Sequence, residues 1–395
     1  MIVIIIRENY LSKIRPFIRK DIIKVLTGIR RSGKSVLLEQ IRDEINSPNT
    51  IFLNFEDLSN QHLCEYNTLH EYICQKIGNS KEQFYLFFDE IQEVQYWEKA
   101  INSLRVKFHA DIYITGSNSR LLSGEFATYI AGRYISFVVY PFSFTEFQMV
   151  NSNYTFDQYI QYGGMPFLSS INFEPEASKN YFQDIFNSVV LKDIVKRNNI
   201  RNVVLLERII AYALASVGRS FSATSISKFL KAESRMVAPE TILNYLKACE
   251  DAYLLYRFKS QDINGKKMLK VNEKYYVADH GLREAVIGEN LQNVEIILEN
   301  IVGLELLRRG YKVCVGRVGT KEIDFVGEKI GDKLYVQVCY LLNEESTIQR
   351  EFGSLLEIRD NYPKIILYKK GFFKGNYEGI SVIKIENWLT EKNRI

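Results

Sequence analysis

The stretch Gly28-Ile29-Arg30-Arg31-Ser32-Gly33-Lys34-Ser35 fits the pattern G-x-x-x-x-G-K-[ST], and it lies between an apolar run, Ile22 to Leu26, and a segment that reads as a helix from Lys34. A strand, a glycine-bearing turn and a helix N-terminus in that order let successive backbone N–H groups converge on a phosphate. Gly28 and Gly33 supply the backbone freedom and close approach such a loop needs. Lys34 supplies a mobile cation for β- and γ-phosphates, and Ser35 a hydroxyl for Mg²⁺. Arg30, Arg31, Ser32 and Val36 complete the expected nucleotide contacts; either arginine could instead pair with an acid of the sheet and brace the loop. The expected ligands are therefore a nucleoside triphosphate and Mg²⁺. By average composition the octapeptide arises by chance in on the order of 1 per cent of chains this long, and its position between strand and helix lowers that further.

About fifty residues on, Phe84-Tyr85-Leu86-Phe87-Phe88-Asp89-Glu90 is an unbroken apolar run ending in two acids, which reads as a central parallel strand delivering charge to the sheet edge. This is a Walker B pattern. Asp89 is the candidate for the Mg²⁺ shell, and Glu90 for the base that orients the attacking water. Alone, such a pair more often caps the next helix; with the loop upstream, the functional reading is favoured. Ile51 to Phe55 and Asp111 to Ile114 are further strand-like runs separated by helical stretches, which predicts a doubly wound α/β sheet. The latter run ends in Thr115-Gly116-Ser117-Asn118-Ser119-Arg120. Ser117 and Asn118 are candidate γ-phosphate sensors, or members of a plain polar turn.

These segments, with Ala131-Gly132-Arg133, Pro141-Phe142-Ser143-Phe144-Thr145-Glu146-Phe147, Tyr162-Gly163-Gly164-Met165-Pro166 and Val190-Leu191-Lys192-Asp193-Ile194, resemble the prokaryotic AAA-type (AAA+, P-loop) ATPases that carry a C-terminal domain of unknown function. The resemblance implies an AAA-like nucleotide fold with ATP as the triphosphate, a helical and winged-helix middle and an end like a degenerate PD-(D/E)xK nuclease. Arg133 is a candidate arginine finger, in its own subunit or a neighbour's; an exposed salt-bridging arginine is the equal alternative. A homo-oligomer is expected only as far as Arg133 suggests one.

The 395 residues suit two to four folding units, and 46% hydrophobic with 25% charged residues argue against general disorder. A net charge of +4 neither demands nor excludes nucleic acid. The opening Met1 to Ile6 is apolar but short, and no run reaches the roughly 18 apolar residues that a membrane span needs, so a cytoplasmic chain without membrane contact is expected. Five scattered cysteines and four dispersed histidines form no zinc or disulfide pattern.

From Ser222 the sequence reads as a helix-turn-helix, with Thr224 to Leu230 in the first helix and a second entered near Pro239. A ribbon from Tyr253-Phe258 to Tyr275-Asp279, turning at Asn264-Gly265, would be the wing. Double-stranded DNA would then meet Arg235, Asn244 and Lys247, with Lys266 and Lys267 on the wing; a protein partner or a purely structural module fits equally.

The last hundred residues read as helix Asn290 to Arg309, strands at Lys312-Val315, Glu322-Val326 and Lys333-Cys339, helix Thr347 to Arg359 and strand Lys364-Leu367. That order resembles the PD-(D/E)xK core, with Glu299 or Glu305 as helix acid and Asp324 as central acid. Gln337-Val338-Cys339 replaces the acid and lysine of the third strand, so cleavage is not expected. The resulting partition is an AAA-like P-loop domain at 1–145, a helical connector at 146–200, a winged-helix domain at 201–285 and an inactive nuclease-like domain at 286–395. The expected function is ATP binding and hydrolysis as a nucleotide-dependent switch. The alternatives are an ATP-dependent DNA-cleaving enzyme and a signalling or docking protein that uses ATP as a conformational ligand.

Overall fold

Every residue of Ile23–Thr27 is buried, as a strand covered by helices on both faces requires. This strand lies in the first of two compact units into which a computed structural model of the chain divides. The structure describes residues 4–122, 132–233, 235–265, 267–268, 273–288, 294–342, 345–371, 373 and 375–391. Met1–Pro141 and Asp251–Tyr253 make the first unit; Phe142–Glu250 and Leu254–Ile395 make the second.

In chain order the first unit contains α1 (Glu8–Ile14), β1 (Ile23–Thr27), α2 (Lys34–Ile45), β2 (Thr50–Asn54), α3 (Tyr66–Ile77), β3 (Phe84–Asp89), α4 (Trp97–Lys107), β4 (Ala110–Gly116) and β5 (Tyr134–Val138). The strands form a parallel sheet in the order β2-β3-β4-β1-β5. Its two faces are covered separately. Leu69, Ile73, Ile101 and Leu104 of α3 and α4 pack with Val25, Leu86 and Ile114 on one face, while Leu37, Leu38 and Ile41 of α2 pack with Leu26, Phe87 and Tyr113 on the other. This alternation of outward directions along each strand is why the strand sequences are apolar throughout. Polar exceptions are paired. The fully buried Lys24 ammonium meets Asp111, whose other oxygen accepts from the Arg19 N–H at 2.7 Å and the Tyr113 hydroxyl at 2.9 Å.

The second unit continues with α5 (Phe144–Val150), α6 (Phe156–Tyr162), α7 (Pro175–Ser188), α8 (Val203–Ala215), β6 (Ser220–Phe221), α9 (Ala223–Ala232), α10 (Pro239–Asp251), β7 (Leu255–Phe258), β8 (Ser260–Asp262), β9 (Lys267–Met268), β10 (Glu273–Val277) and α11 (His280–Ile287). A π-helical stretch, Val189–Lys196, prolongs α7 and contains the segment Val190 to Ile194, with Asp193 buried beside Arg197 at 3.4 Å. Strands β6, β10 and β7 form a small antiparallel sheet. The chain then runs through α12 (Val294–Arg308), β11 (Lys312–Val318), β12 (Lys321–Lys329), β13 (Asp332–Leu342), α13 (Glu345–Leu356), β14 (Lys364–Gly371), β15 (Asn376–Tyr377), β16 (Ile380–Lys384) and α14 (Ile385–Thr390).

The ribbon expected between Tyr253 and Asp279 is more complex than one hairpin. β7 and β10 do pair antiparallel, but β8, between them in sequence, leaves that sheet and pairs parallel with β11. The resulting sheet has the order β15-β16-β14-β13-β12-β11-β8-β9. The segments expected as connector, ribbon and terminal domain therefore lie in one compact unit.

The diglycine at 163–164 has a packing cause. Gly163 has φ +74°, and a Cβ there would lie 2.1 Å from Asp279 Oδ1; one on Gly164 would lie 2.3 Å from the Phe142 carbonyl oxygen. Asp279 caps α11 by accepting from Gly281 N–H at 2.8 Å and accepts from Gly164 N–H at 2.7 Å. No described helix is long and apolar enough to cross a membrane.

Candidate nucleotide site

The sheet order brings the carboxyl ends of β1, β4 and β3 side by side, where parallel α/β sheets bind ligands. After β1 the chain turns through Gly28, whose φ of +142° and lack of Cβ let it sit against Val139; a Cβ would lie 2.2 Å from the Val139 carbonyl oxygen. Arg31 at φ +68° and Gly33 at φ +91° complete the turn into α2. A left-handed arginine costs backbone energy, and such strain collects where a loop must present its N–H groups. Lys34 is buried, and its ammonium donates to the loop's own carbonyls, Gly28 at 3.2 Å and Ile29 at 3.1 Å, with Glu90 Oε1 4.0 Å away.

Asp89 ends β3 with both oxygens engaged: Oδ1 accepts from the Thr115 hydroxyl at 2.5 Å and Oδ2 from the Asn54 amide at 3.1 Å. The Ser35 hydroxyl also hydrogen-bonds to it, so the two expected metal-binding side chains are together. Burial holds the Asp89 carboxyl above its ordinary range despite these donors. Glu90 follows at φ +53°, a strained angle held by its N–H donating to Thr115 Oγ1 at 2.9 Å. Its carboxylate accepts from the Ser117 hydroxyl at 2.9 and 3.1 Å and from the Gln92 amide. Burial pushes the Glu90 carboxyl up, but Lys34, Gln92, Arg30 and Ser117 outweigh it and hold it below its usual value. Adjacent carboxyls are thus driven in opposite directions.

Lys34, Ser35, Asp89, Glu90 and Ser117 are thereby brought together, and Asn118 is buried at the same strand end. Ser32 is fully buried, and its hydroxyl has no hydrogen-bond partner among the described residues. An orphaned hydroxyl inside a strained amide loop suits an anionic ligand. Arg30 pairs with Glu56 at 2.8 Å, whereas Arg31 and Val36 are exposed. Arg133 is not brought to the loop of its own chain. It is exposed, and its carbonyl accepts from Ile23 N–H at the amino end of β1. Four residues of strand, roughly 13 Å, separate that end from the loop. Ala131 lies outside the described residues.

Three contributors were not singled out from the sequence. Thr115 links both acids, Asn54 holds Asp89, and Arg7, 2% exposed, donates to the Ser32 carbonyl at 2.9 Å and the Tyr140 carbonyl at 2.9 Å. Thr115 and Asn54 sit at strand ends, where a polar residue after an apolar run is the available signal. Arg7 leaves no such trace.

Residues 20–148 match the family described as an AAA domain, and residues 153–293 match a domain of unknown function, DUF8612. An uncharacterized protein of Haemophilus influenzae is 40% identical over 400 residues, covering 98% of each chain. An uncharacterized protein of Methanocaldococcus jannaschii is 34% identical over 384 residues, covering 89% of this chain and 83% of its own. The chain belongs to the family of these relatives. Its amino-terminal unit is an AAA-type P-loop domain. Among solved structures, Aeropyrum pernix ORC1 in complex with DNA is similar at TM-score 0.32 and 11% identity, over 72% of this chain and 93% of that one. AMPPCP-bound DnaA from Aquifex aeolicus is similar at TM-score 0.32 and 13% identity, over 62% and 89%.

In this AAA-domain protein the second unit contains a separate ionic cluster. Of the two helix acids considered, Glu299 approaches Asp324, whereas Glu305 pairs with Arg308 at 2.5 Å and Arg309 at 2.9 Å. The Lys274 ammonium, from β10, lies 2.8 Å from Glu322, 3.3 Å from Glu299 and 3.7 Å from Asp324. Asp324 Oδ2 accepts from Val338 N–H at 2.9 Å, and Gln337 Oε1 accepts from Asp324 N–H at 3.3 Å. Cys339 is buried in the apolar core. No group of three or more His, Cys, Asp or Glu side chains among the described residues is arranged to hold a metal ion. Arg235 is partly buried and Asn244 and Lys247 are exposed; Lys266 and the Lys267 side chain lie outside the described residues.

Proposed function

We propose that the protein is an Mg²⁺-dependent ATPase whose AAA-type unit serves as a nucleotide-dependent switch. The observation that supports this is the convergence of Lys34, Ser35, Asp89, Glu90 and Ser117 at neighbouring strand ends. In this reading the loop N–H groups and Lys34 bind the β- and γ-phosphates. Ser35 and Asp89 are the residues that would hold Mg²⁺, which would supply positive charge to the phosphate oxygens. Glu90, its carboxyl held below the usual value by Lys34, Gln92, Arg30 and Ser117, orients a water and takes its proton, while Ser117 fixes the direction of that carboxylate. Asn118 senses the γ-phosphate. The second unit is the output module, with a winged-helix part and a non-cleaving, nuclease-like part.

The test compares nucleotide binding with steady-state turnover. Lys34→Ala abolishes ATP binding, whereas Glu90→Gln binds ATP and loses turnover by roughly 100-fold or more. Equal turnover in wild type and Glu90→Gln would remove Glu90 from the mechanism.

A protein partner for the output module is favoured over DNA because Lys247 is the one basic residue of α10 and the exposed Glu240 offsets it. Exposed Asn244 and Lys247 support duplex DNA as the second reading. A salt-dependent mobility shift with generic duplex, weakened by Lys247→Ala, would support it.

A further inference from the structure

Glu299, Glu322 and Asp324 come from α12 and β12, and a nuclease-like centre would use such acids to hold a divalent cation. The side chain among them is a cation of the chain itself. Lys274 arrives from β10, a strand of the other sheet, and its ammonium is almost wholly buried. Mg²⁺ needs oxygens at about 2.0–2.1 Å in octahedral geometry. An ammonium within 2.8–3.7 Å of three carboxylates takes up the volume such an ion and its waters would require. The remaining groups also fit an ammonium better than a metal. Glu299 accepts from the Tyr276 hydroxyl at 3.0 Å, Glu322 is shared with Arg317 at 3.1 Å, and Asp324 is turned onto the Val338 N–H.

We propose that Lys274 is a tethered counter-ion standing where a divalent cation would otherwise bind, so that the centre excludes metal and does not cleave. This goes beyond the ATPase reading and does not depend on it. The charges support it. Burial and then the neighbouring Glu299 hold the Asp324 carboxyl well above its ordinary range, and burial raises Glu299 as well. Burial disfavours the Lys274 ammonium, but Glu299, Asp324 and Glu322 outweigh it and keep it charged.

The test is Mn²⁺ binding by nucleotide-free, full-length protein, read by electron paramagnetic resonance, alongside plasmid nicking with Mn²⁺. Wild type and Asp324→Asn should bind Mn²⁺ alike and nick nothing. Lys274→Met should gain about one bound ion per chain, lost again in Lys274→Met/Asp324→Asn. Wild-type Mn²⁺ binding or nicking that Asp324→Asn abolishes would overturn the proposal, because Lys274 would then be a working member of a metal centre. A cooperatively folded Lys274→Met protein with no added ion would also overturn it. Should Lys274→Met fail to fold, Mn²⁺ present during refolding should restore cooperative melting; absence of rescue counts against the proposal.

Discussion

The Arg7 guanidinium donates to the Ser32 carbonyl at 2.9 Å, tying the segment before α1 to the turn that begins α2. Its second arm reaches the Tyr140 carbonyl, and Gln40 of α2 accepts from the Arg7 N–H at 3.2 Å. Hydrogen bonds from a charged donor are worth about 1.5–3 kcal/mol each. Arg7→Ala is expected to weaken ATP binding roughly tenfold by loosening the loop, an effect of about 1.4 kcal/mol. Calorimetric titration checks this, and an unchanged Kd would mean that the loop holds its shape without Arg7.

Thr115 donates to Asp89 and accepts from the N–H of Glu90, so one hydroxyl sets both acids. Thr115→Val keeps the shape and removes both bonds. Turnover should fall about 10- to 100-fold with ATP affinity changed less, because the phosphate-binding amides are untouched. A loss confined to affinity would show that Thr115 serves the loop instead.

Arg133 lies at the amino end of the sheet, away from its own loop. In dilute protein Arg133→Ala should turn over ATP within about twofold of wild type, the ordinary range for a surface change. A larger loss that appears only as protein concentration rises would mean that Arg133 acts on a neighbouring subunit.

The Lys24–Asp111 pair, on neighbouring strands β1 and β4, is fully buried. Asp111→Ala strands an ammonium, and burial already lowers the Lys24 pKa against the pull of Asp111. The expected loss is about 3–5 kcal/mol in urea unfolding, with most of it recovered in Lys24→Met/Asp111→Leu. Failure of the double substitution to recover stability would assign the loss to packing.

Burial raises the Asp279 carboxyl above its ordinary value, although His280 and the N–H groups of Gly164, Gly281 and Leu282 oppose it. The folded chain therefore holds this proton more tightly than the unfolded chain. Stability is lost as pH rises from about 4, the unfolded value, through the folded one. Asp279→Asn removes the titration, so its stability relative to wild type should improve across that rise, even though one acceptor for Gly164 is lost. Parallel unfolding curves at every pH would contradict this.

Much of the first unit was legible because its signals are local. Strand ends at Thr27, Asp89 and Gly116 fall within a few residues of the apolar runs expected, and α2 begins at Lys34. The candidates Lys34, Ser35, Asp89 and Glu90 stand in short motifs, and the fold gathers them at neighbouring strand ends. Arg7 and Lys274 stand in no such motif; each acts across 25 or more residues through contacts that no periodicity encodes. Strand β8 was hidden for a different reason. It is three residues long, and its partner β11 lies in the final hundred residues, so nothing nearby announces the exchange. The diglycine at 163–164 was visible as a motif, but its cause, the approach of Asp279, required the fold.

The parallel pairing of Ser260–Asp262 with Val315–Arg317 has a consequence for how such a gene can be cut and recombined. A fragment starting at residue 286 would leave behind the strand that borders β11, and with it Lys274. It would expose a raw sheet edge and strand Glu299, Glu322 and Asp324 without their ammonium. The carboxyl-terminal third is therefore not a detachable cassette: to be grafted elsewhere or lost intact, it must travel with the segment from Leu255 onward.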